Sequence, residues 1–206
     1  VRSKDRTFTD TARRHQITLA AIEVIAEIGY AQASIRKIAE RVGVAMSVVL
    51  YHFANKDDLV RAIVNHSFAE AIDAIVPALE RESTAAGRLR AYILANARFL
   101  GTHRTQFAVV MDVGMTYRTA DGGRMDSLAI DPELLPGIAK LDVETILRQG
   151  QESGEFAEFD PARTAMAIRG AVLNGPILEV LTNPEFDLDG YAQELAALFD
   201  RATRRG

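Results

Sequence analysis

Apolar residues recur along this chain at the three- and four-residue spacing of helices, without convincing strand-like alternation. Between 11 and 28 the positions Ile17, Ala21, Val24, Ile25 and Ile28 form one stripe, and Gly29 supplies a C-terminal stop. Ser34 is placed to cap a second helix, in which Ile35, Ile38, Ala39 and Val42 share a face while Arg36, Lys37, Glu40 and Arg41 point away. Gly43 stands where a left-handed turn residue closes that helix, and a short third helix is predicted over about 45–51. Two short helices joined by a tight Gly turn, with small Ala39 where they approach, predict a helix-turn-helix.

Helical spacing continues to the end of the chain. Asn55 caps a long helix with Asp57 and Asp58 in its first turn, and its apolar positions run from Leu59 through Ile63, Phe68 and Ile72 until Pro77 kinks or ends it. Leu89, Tyr92, Ile93, Asn96, Phe99 and Leu100 form a further stripe, and a shorter apolar run over 107–113 leads to Met115 and Tyr117. The stretch 119–124 (TADGGR) is a loop by composition. One helix is predicted over 138–153 and a turn over 154–160. Pro161 then opens a long apolar helix reaching Leu181, and a last helix uses Tyr191, Leu195, Leu198, Phe199 and Ala202. The expected fold is all-α with about nine helices: a three-helix head over 1–54 and a helical body over 55–206.

Within the third helix Val49 and Phe53 point inward, four residues apart. Ser47 and Tyr51 then lie opposite, flanked by Val48 and Leu50.

Charge sharpens this division. The net charge of −4 argues at first against nucleic acid, but residues 1–56 carry nine Lys/Arg against five Asp/Glu, a net of +4, leaving the remainder at −8. A basic head on an acidic body suits a DNA binder with a separate regulatory part. Arg2, Lys4 and Arg6 in the arm are open to two readings, phosphate contact or solvated tail. The chain has no Cys, which excludes disulfides, thiolate metal sites and cysteine nucleophiles. No apolar run approaches a membrane span and the N-terminus lacks a signal-peptide core.

The run 34–59 resembles the DNA-binding signature of the TetR (tetracycline-repressor-like) family of bacterial transcription regulators. Ile38-Ala39 and Gly43-Val44 occupy that family's "IA" and "GV" positions, Tyr51-His52-Phe53 its aromatic "Y-H-F" ending, and Asn55-Lys56-Asp57-Asp58-Leu59 the start of its fourth helix. Ser47 stands in place of the usual recognition-helix Gly, and Val49-Leu50 in place of "LY", so a phosphate-contacting Tyr is replaced by Leu50. The stretch 148–161 resembles the family more weakly, at the loop before its eighth helix. The resemblance implies a cytoplasmic, homodimeric regulator, most often a repressor, that binds double-stranded operator DNA and is released by a small effector. The fourth helix would transmit the signal.

On that reading phosphates are met by Ser34, Arg36, Lys37, Tyr51, His52, Lys56 and the backbone at Asn55. Ala45, Met46, Ser47, Val48 and Leu50 face the bases, with methyl or van der Waals contacts to thymine available to the apolar ones. Core or turn packing is the other reading for Tyr51 and His52.

In the body, Tyr92, Asn96, Phe99, Phe107, Met111, Met115, Tyr117, Leu147, Arg169 and Asn174 are the effector-site candidates, an apolar lining with a few polar groups. Plain core is the alternative for the aromatic and Met positions, and bonding across a dimer for Arg169 and Asn174. Met166, Gly170, Leu173, Ile177 and Leu181 with Tyr191, Leu195, Leu198 and Phe199 suit a two-fold four-helix interface, or burial within one subunit.

Nothing supports catalysis: there is no phosphate loop, nucleophile elbow or H-E-x-x-H, and no cofactor or metal is expected. His66 and Glu70 have metal-compatible spacing but lack a third ligand, so a solvated face is the better reading. The rival functions are a helical ligand-binding or interaction protein whose head no longer binds DNA, and a small helical enzyme.

Overall fold

The computed structural model describes residues 8–118, 122–124 and 129–205. Among these every regular element is helical, apart from one isolated antiparallel bridge between Phe156 and Arg204. The arm cations Arg2, Lys4 and Arg6 and loop positions 119–121 lie outside the described residues.

α1 (Phe8–Ile28) buries Ile17, Ala21, Val24 and Ile25, the stripe predicted from spacing. Ser34 caps α2 (Ile35–Val42), its hydroxyl accepting from the Lys37 N–H at 3.3 Å. Gly43 ends α2 at φ +76°, where any side chain would be strained. α3 (Met46–His52) follows and buries Val49; Phe53, just beyond it, is also fully buried.

α4 (Lys56–Glu80) opens with a reciprocal cap. The Asp58 N–H donates to Asn55 Oδ1 at 2.8 Å, and the Asp58 carboxylate accepts from the Ala54 N–H at 3.3 Å. Pro77 does not end α4, which runs on to Glu80; so near a helix end, the missing N–H forfeits a single backbone bond. α5 (Ala85–Thr102) and α6 (Arg104–Thr116) come next in the chain.

Packing groups the described residues into two compact units, one up to Ser67 plus Thr105–Asp131, the other Phe68–Arg104 plus the chain from Pro132 onward. The first therefore contains α1–α3, the start of α4 and nearly all of α6. This differs from the 1–54/55–206 division read by function.

In the second unit Thr84 Oγ accepts from the Gly87 N–H, and the Glu155 carboxylate accepts from the Ala85 and Ala86 N–H groups, so α5's orphan donors are satisfied. The helix predicted over 138–153 is two, α7 (Leu135–Lys140) and α8 (Val143–Glu152), because the Asp142 side chain caps α8 by accepting from the Glu144 and Thr145 N–H groups.

The long helix predicted from Pro161 to Leu181 is likewise broken. α9 (Pro161–Arg169) gives way to a wide π turn over Gly170–Asn174, and α10 (Ile177–Thr182) resumes after Pro176. The reason lies in one carbonyl. Ala171 O has lost its α-helical partner, since the Gly175 N–H donates to Gly170 O at 2.8 Å, and Pro176 has no N–H to offer. The Tyr191 hydroxyl of α11 (Leu188–Thr203) donates to it instead, at 2.7 Å.

Tyr191→Phe should therefore lower stability by about 1 kcal/mol, and the midpoint of thermal unfolding by roughly 2–4 °C. A melting curve superimposing on the parent's would show that the hydroxyl does not hold the turn.

Candidate nucleic-acid interface

The exposed surface of the head is built from α2, the Gly43 turn and α3. With Val49 and Phe53 fully buried, the periodicity of α3 turns Met46 (50% exposed), Leu50 (43%) and Tyr51 (69%) to solvent, together with Ser47. Ala45 is exposed and Val48 and His52 are half-buried. For Tyr51 this favours the solvent-facing reading over core packing. On α2, Arg36 pairs with Glu40 at 2.9 Å, both well exposed, so the pair contributes little and the guanidinium is available to exchange partners. Lys37 is exposed beside it, with no ion pair among the described residues.

One predicted phosphate contact, Lys56, is committed inside the head. Lys56 Nζ donates to the carbonyls of Tyr30 (3.0 Å) and Ala33 (2.8 Å) and lies 3.9 Å from the Tyr30 ring centroid. Burial lowers its pKa from the ordinary lysine value. It ties the start of α4 to the α1–α2 turn. The Asn55 side chain is engaged in its capping bond, whereas the phosphate contact expected there is a backbone one and the residue is exposed.

The aim of α3 is set from behind by Arg14. Its guanidinium lies 4.1 Å over the Phe53 ring and donates to the His52 carbonyl and to Asp58 Oδ1 (3.0 Å). Arg61 joins Asp58 at 2.5 Å. Burial of the Asp58 carboxyl raises its pKa, but the bonds from Arg14 and Arg61 prevail and hold it below the usual carboxylate value. Residue type alone does not mark Arg14 for this buried role. The signal for its role was its position three residues before Ile17, on the buried face of α1. On the opposite side Arg41 bridges α2 to Glu23 (3.2 Å) and Glu27 of α1.

Asp112 of α6 is a further residue that the sequence analysis does not single out. Its carboxylate accepts from the Tyr30 N–H at 2.6 Å, just after Gly29 turns the chain at φ +78°. α6 is thereby joined to the α1–α2 turn of the same unit.

The effector-site candidates fall in different surroundings. In the second unit Tyr92, Asn96, Phe99 and Leu147 are buried, Arg169 is half-buried and Asn174 is exposed. Asn96 is an exception in its apolar stripe because its Nδ2 donates to Tyr92 O, one turn earlier, at 2.8 Å. The Tyr92 phenol is pushed up to about 12, chiefly by burial, with Arg169 opposing and Asp142 adding to the shift. Arg169 pairs with Asp142 at 3.4 Å. In the first unit Tyr117 is buried, Phe107 and Met111 are half-buried, and Met115 is exposed. A separate open cleft of about 450 Å³ in the second unit includes Val76, Leu79, Arg88, Lys140, Asp142 and Ile146 in its walls, and none of these candidates lines it.

Of the interface candidates, Met166, Leu181 and Leu198 are exposed, Gly170, Leu173, Tyr191 and Phe199 half-buried, and Ile177 and Leu195 buried. Leu178, not predicted, is also exposed. No helix among the described residues is long and apolar enough to cross a membrane. No group of three or more His, Cys, Asp or Glu among them is placed to hold a metal.

A helix-turn-helix with a solvent-facing second helix and exposed basic positions on its first, in a chain that is otherwise helical, defines a DNA-binding transcriptional regulator. Residues 17–63 match the family described as bacterial regulatory proteins, tetR family. The fatty acid metabolism regulator protein of Bacillus subtilis is 28% identical over 178 residues, covering 84% of this chain and 86% of that protein. The transcriptional regulator BetI of Escherichia coli is 29% identical over 181 residues, covering 82% and 90% respectively. Among solved structures, the regulator FadR from Bacillus subtilis in complex with stearoyl-CoA superimposes with a TM-score of 0.73 at 25% identity, over 89% of this chain and 96% of that one. Residues 17–63 thus carry the DNA-binding domain of the TetR family of bacterial regulatory proteins, and the relatives that match most of the chain are regulators rather than enzymes.

Asp58→Asn is expected to cost the head about 2 kcal/mol at pH 7 by weakening a charge-assisted, part-buried network. Because the folded pKa of Asp58 is depressed, its stabilisation is complete above the ordinary carboxylate value and is lost as the pH falls through the folded one. The stability gap between parent and variant should narrow as pH falls from about 5 toward 3. Urea titrations across that range check this, and a gap that stays constant refutes the network.

Proposed function

We propose that this regulator is a homodimeric repressor, acting in the cytoplasm, that leaves its operator when a long-chain acyl thioester binds its body. The observation that carries the effector class is likeness along most of the chain to a regulator crystallised with stearoyl-CoA. The buried Tyr92, Asn96, Phe99 and Leu147 of the second unit support a largely apolar effector, and the neighbouring Arg169–Asp142 pair supplies polar groups for its head.

Dimerisation is supported by the exposed apolar side chains of α9, α10 and α11. Met166 (68% exposed), Leu178 (67%) and Leu198 (51%) would lie bare in a monomer. A pair of heads also resolves a difficulty of footprint, since one short reading helix spans too few base pairs for tight specific binding. The effector acts by preferring the form in which the heads are wrongly spaced for DNA. Release then follows from that difference in affinity and from nothing else.

Fluorescence anisotropy with the intergenic duplex flanking the protein's own gene tests the whole reading. Salt-sensitive binding is expected, weakened by Lys37→Ala or Tyr51→Ala and reversed by stearoyl-CoA but not by coenzyme A. Binding that stearoyl-CoA leaves unchanged would refute the effector class, and absence of binding would refute the operator reading.

Leu198→Glu should convert a dimer into a monomer by light scattering and abolish tight operator binding. A parent protein that is already monomeric overturns the interface.

A further inference from the structure

The reading surface of this head is apolar where nucleic-acid readers ordinarily carry amides and guanidinium groups. From Gly43 to Ala54 there is no Arg, Lys, Asn or Gln. The side chains that read guanine bidentately are Arg and Lys, and those that read adenine are Asn and Gln. The next two residues, Asn55 and Lys56, are of those types, but the structure commits both internally. Asn55 Oδ1 accepts from the Asp58 N–H, and Lys56 Nζ holds the carbonyls of Tyr30 and Ala33.

What remains outward on α3 is a pair of stripes. Met46 and Leu50, four residues apart, are 50% and 43% exposed. Ser47 and Tyr51 form the polar stripe beside them. An apolar stripe on α3, with the exposed cations of Arg36 and Lys37 on the preceding helix of the chain's net-positive end, calls for an occupant that carries both negative charge and apolar groups. Duplex DNA is such an occupant only where thymine places its 5-methyl group in the major groove.

We propose that the Met46–Leu50 stripe reads thymine methyl groups, so that the operator is specified by thymines facing this stripe rather than by guanine. This rests on the operator reading given above. Four helical residues rise about 6 Å, so the two side chains meet methyls about two base steps apart. Discrimination of this kind comes from burying a methyl and needs no hydrogen bond. Ser47, Tyr51 and the α2 cations then supply register and phosphate affinity.

The test uses the full-length protein and duplexes it selects from a randomised 30-base-pair library. Thymines are expected to be enriched in both half-sites. Replacing a facing thymine by deoxyuridine removes only the methyl, and should weaken binding about fourfold (about 0.8 kcal/mol) per position. Leu50→Ala and Met46→Ala should each erase the thymine-over-uracil preference at one position while the preference at the other position persists. Both side chains are exposed, so neither change threatens folding. Equal affinity for thymine and deoxyuridine duplexes, or a selected consensus fixed by guanines, overturns the thymine reading while leaving the operator reading intact. Failure to select any duplex overturns both.

Discussion

At the Arg14 side chain the end of α3, the start of α4 and α1 are held in one network, and the direction in which α3 presents its outer face depends on it. The guanidinium takes the last carbonyl of α3, the Asp58 carboxylate at the start of α4, and the face of Phe53 between them. Each contact alone is ordinary. Together they hold one cation by two donor bonds and a ring face in a site largely withdrawn from water, where charge-assisted bonds are stronger than at the surface. A helix of seven residues has little stability of its own. Its angle is therefore whatever Arg14, Val49 and Phe53 impose from below.

The consequence for recognition is a separation of tasks. Groups that would otherwise compete for the nucleic acid, Lys56 and Asn55, are spent on joining α4 to the α1–α2 turn and capping it. The exposed face of α3 is left with methyl, thioether, hydroxyl and phenol groups. Electrostatic attraction falls to the α2 cations, while shape and apolar contact fall to α3. Asp112 joins α6 to the same turn that Lys56 holds. The backbone around Tyr30 is thus a shared point of α1, α4 and α6.

The head was legible in the sequence in fine detail. Ser34, Gly43, Val49 and Phe53 each have a local reason for their place, a cap, a left-handed turn or an inward period, and local reasons survive without knowledge of distant neighbours. The second unit was less legible. The helix predicted over 138–153 breaks because the Asp142 side chain outcompetes continuation by capping α8. The helix predicted from Pro161 to Leu181 runs through Gly170, Gly175 and Pro176. They permit the π turn, but the hydroxyl that stabilises it belongs to Tyr191, on another helix.

Sequence by itself determined the helical class, the helix-turn-helix, the inward and outward faces of α3 and the absence of amide or guanidinium readers on it. All of these follow from spacing and residue type within a dozen positions. Only the tertiary structure decided that Arg14 is a clamp rather than a surface cation, that Lys56 turns inward, and that Asp112 reaches Tyr30 across eighty-two residues of chain. The physical reason is that a charged side chain goes to whichever partner the fold brings within about 3 Å. Such partners are set by packing between helices, which no single-helix periodicity records.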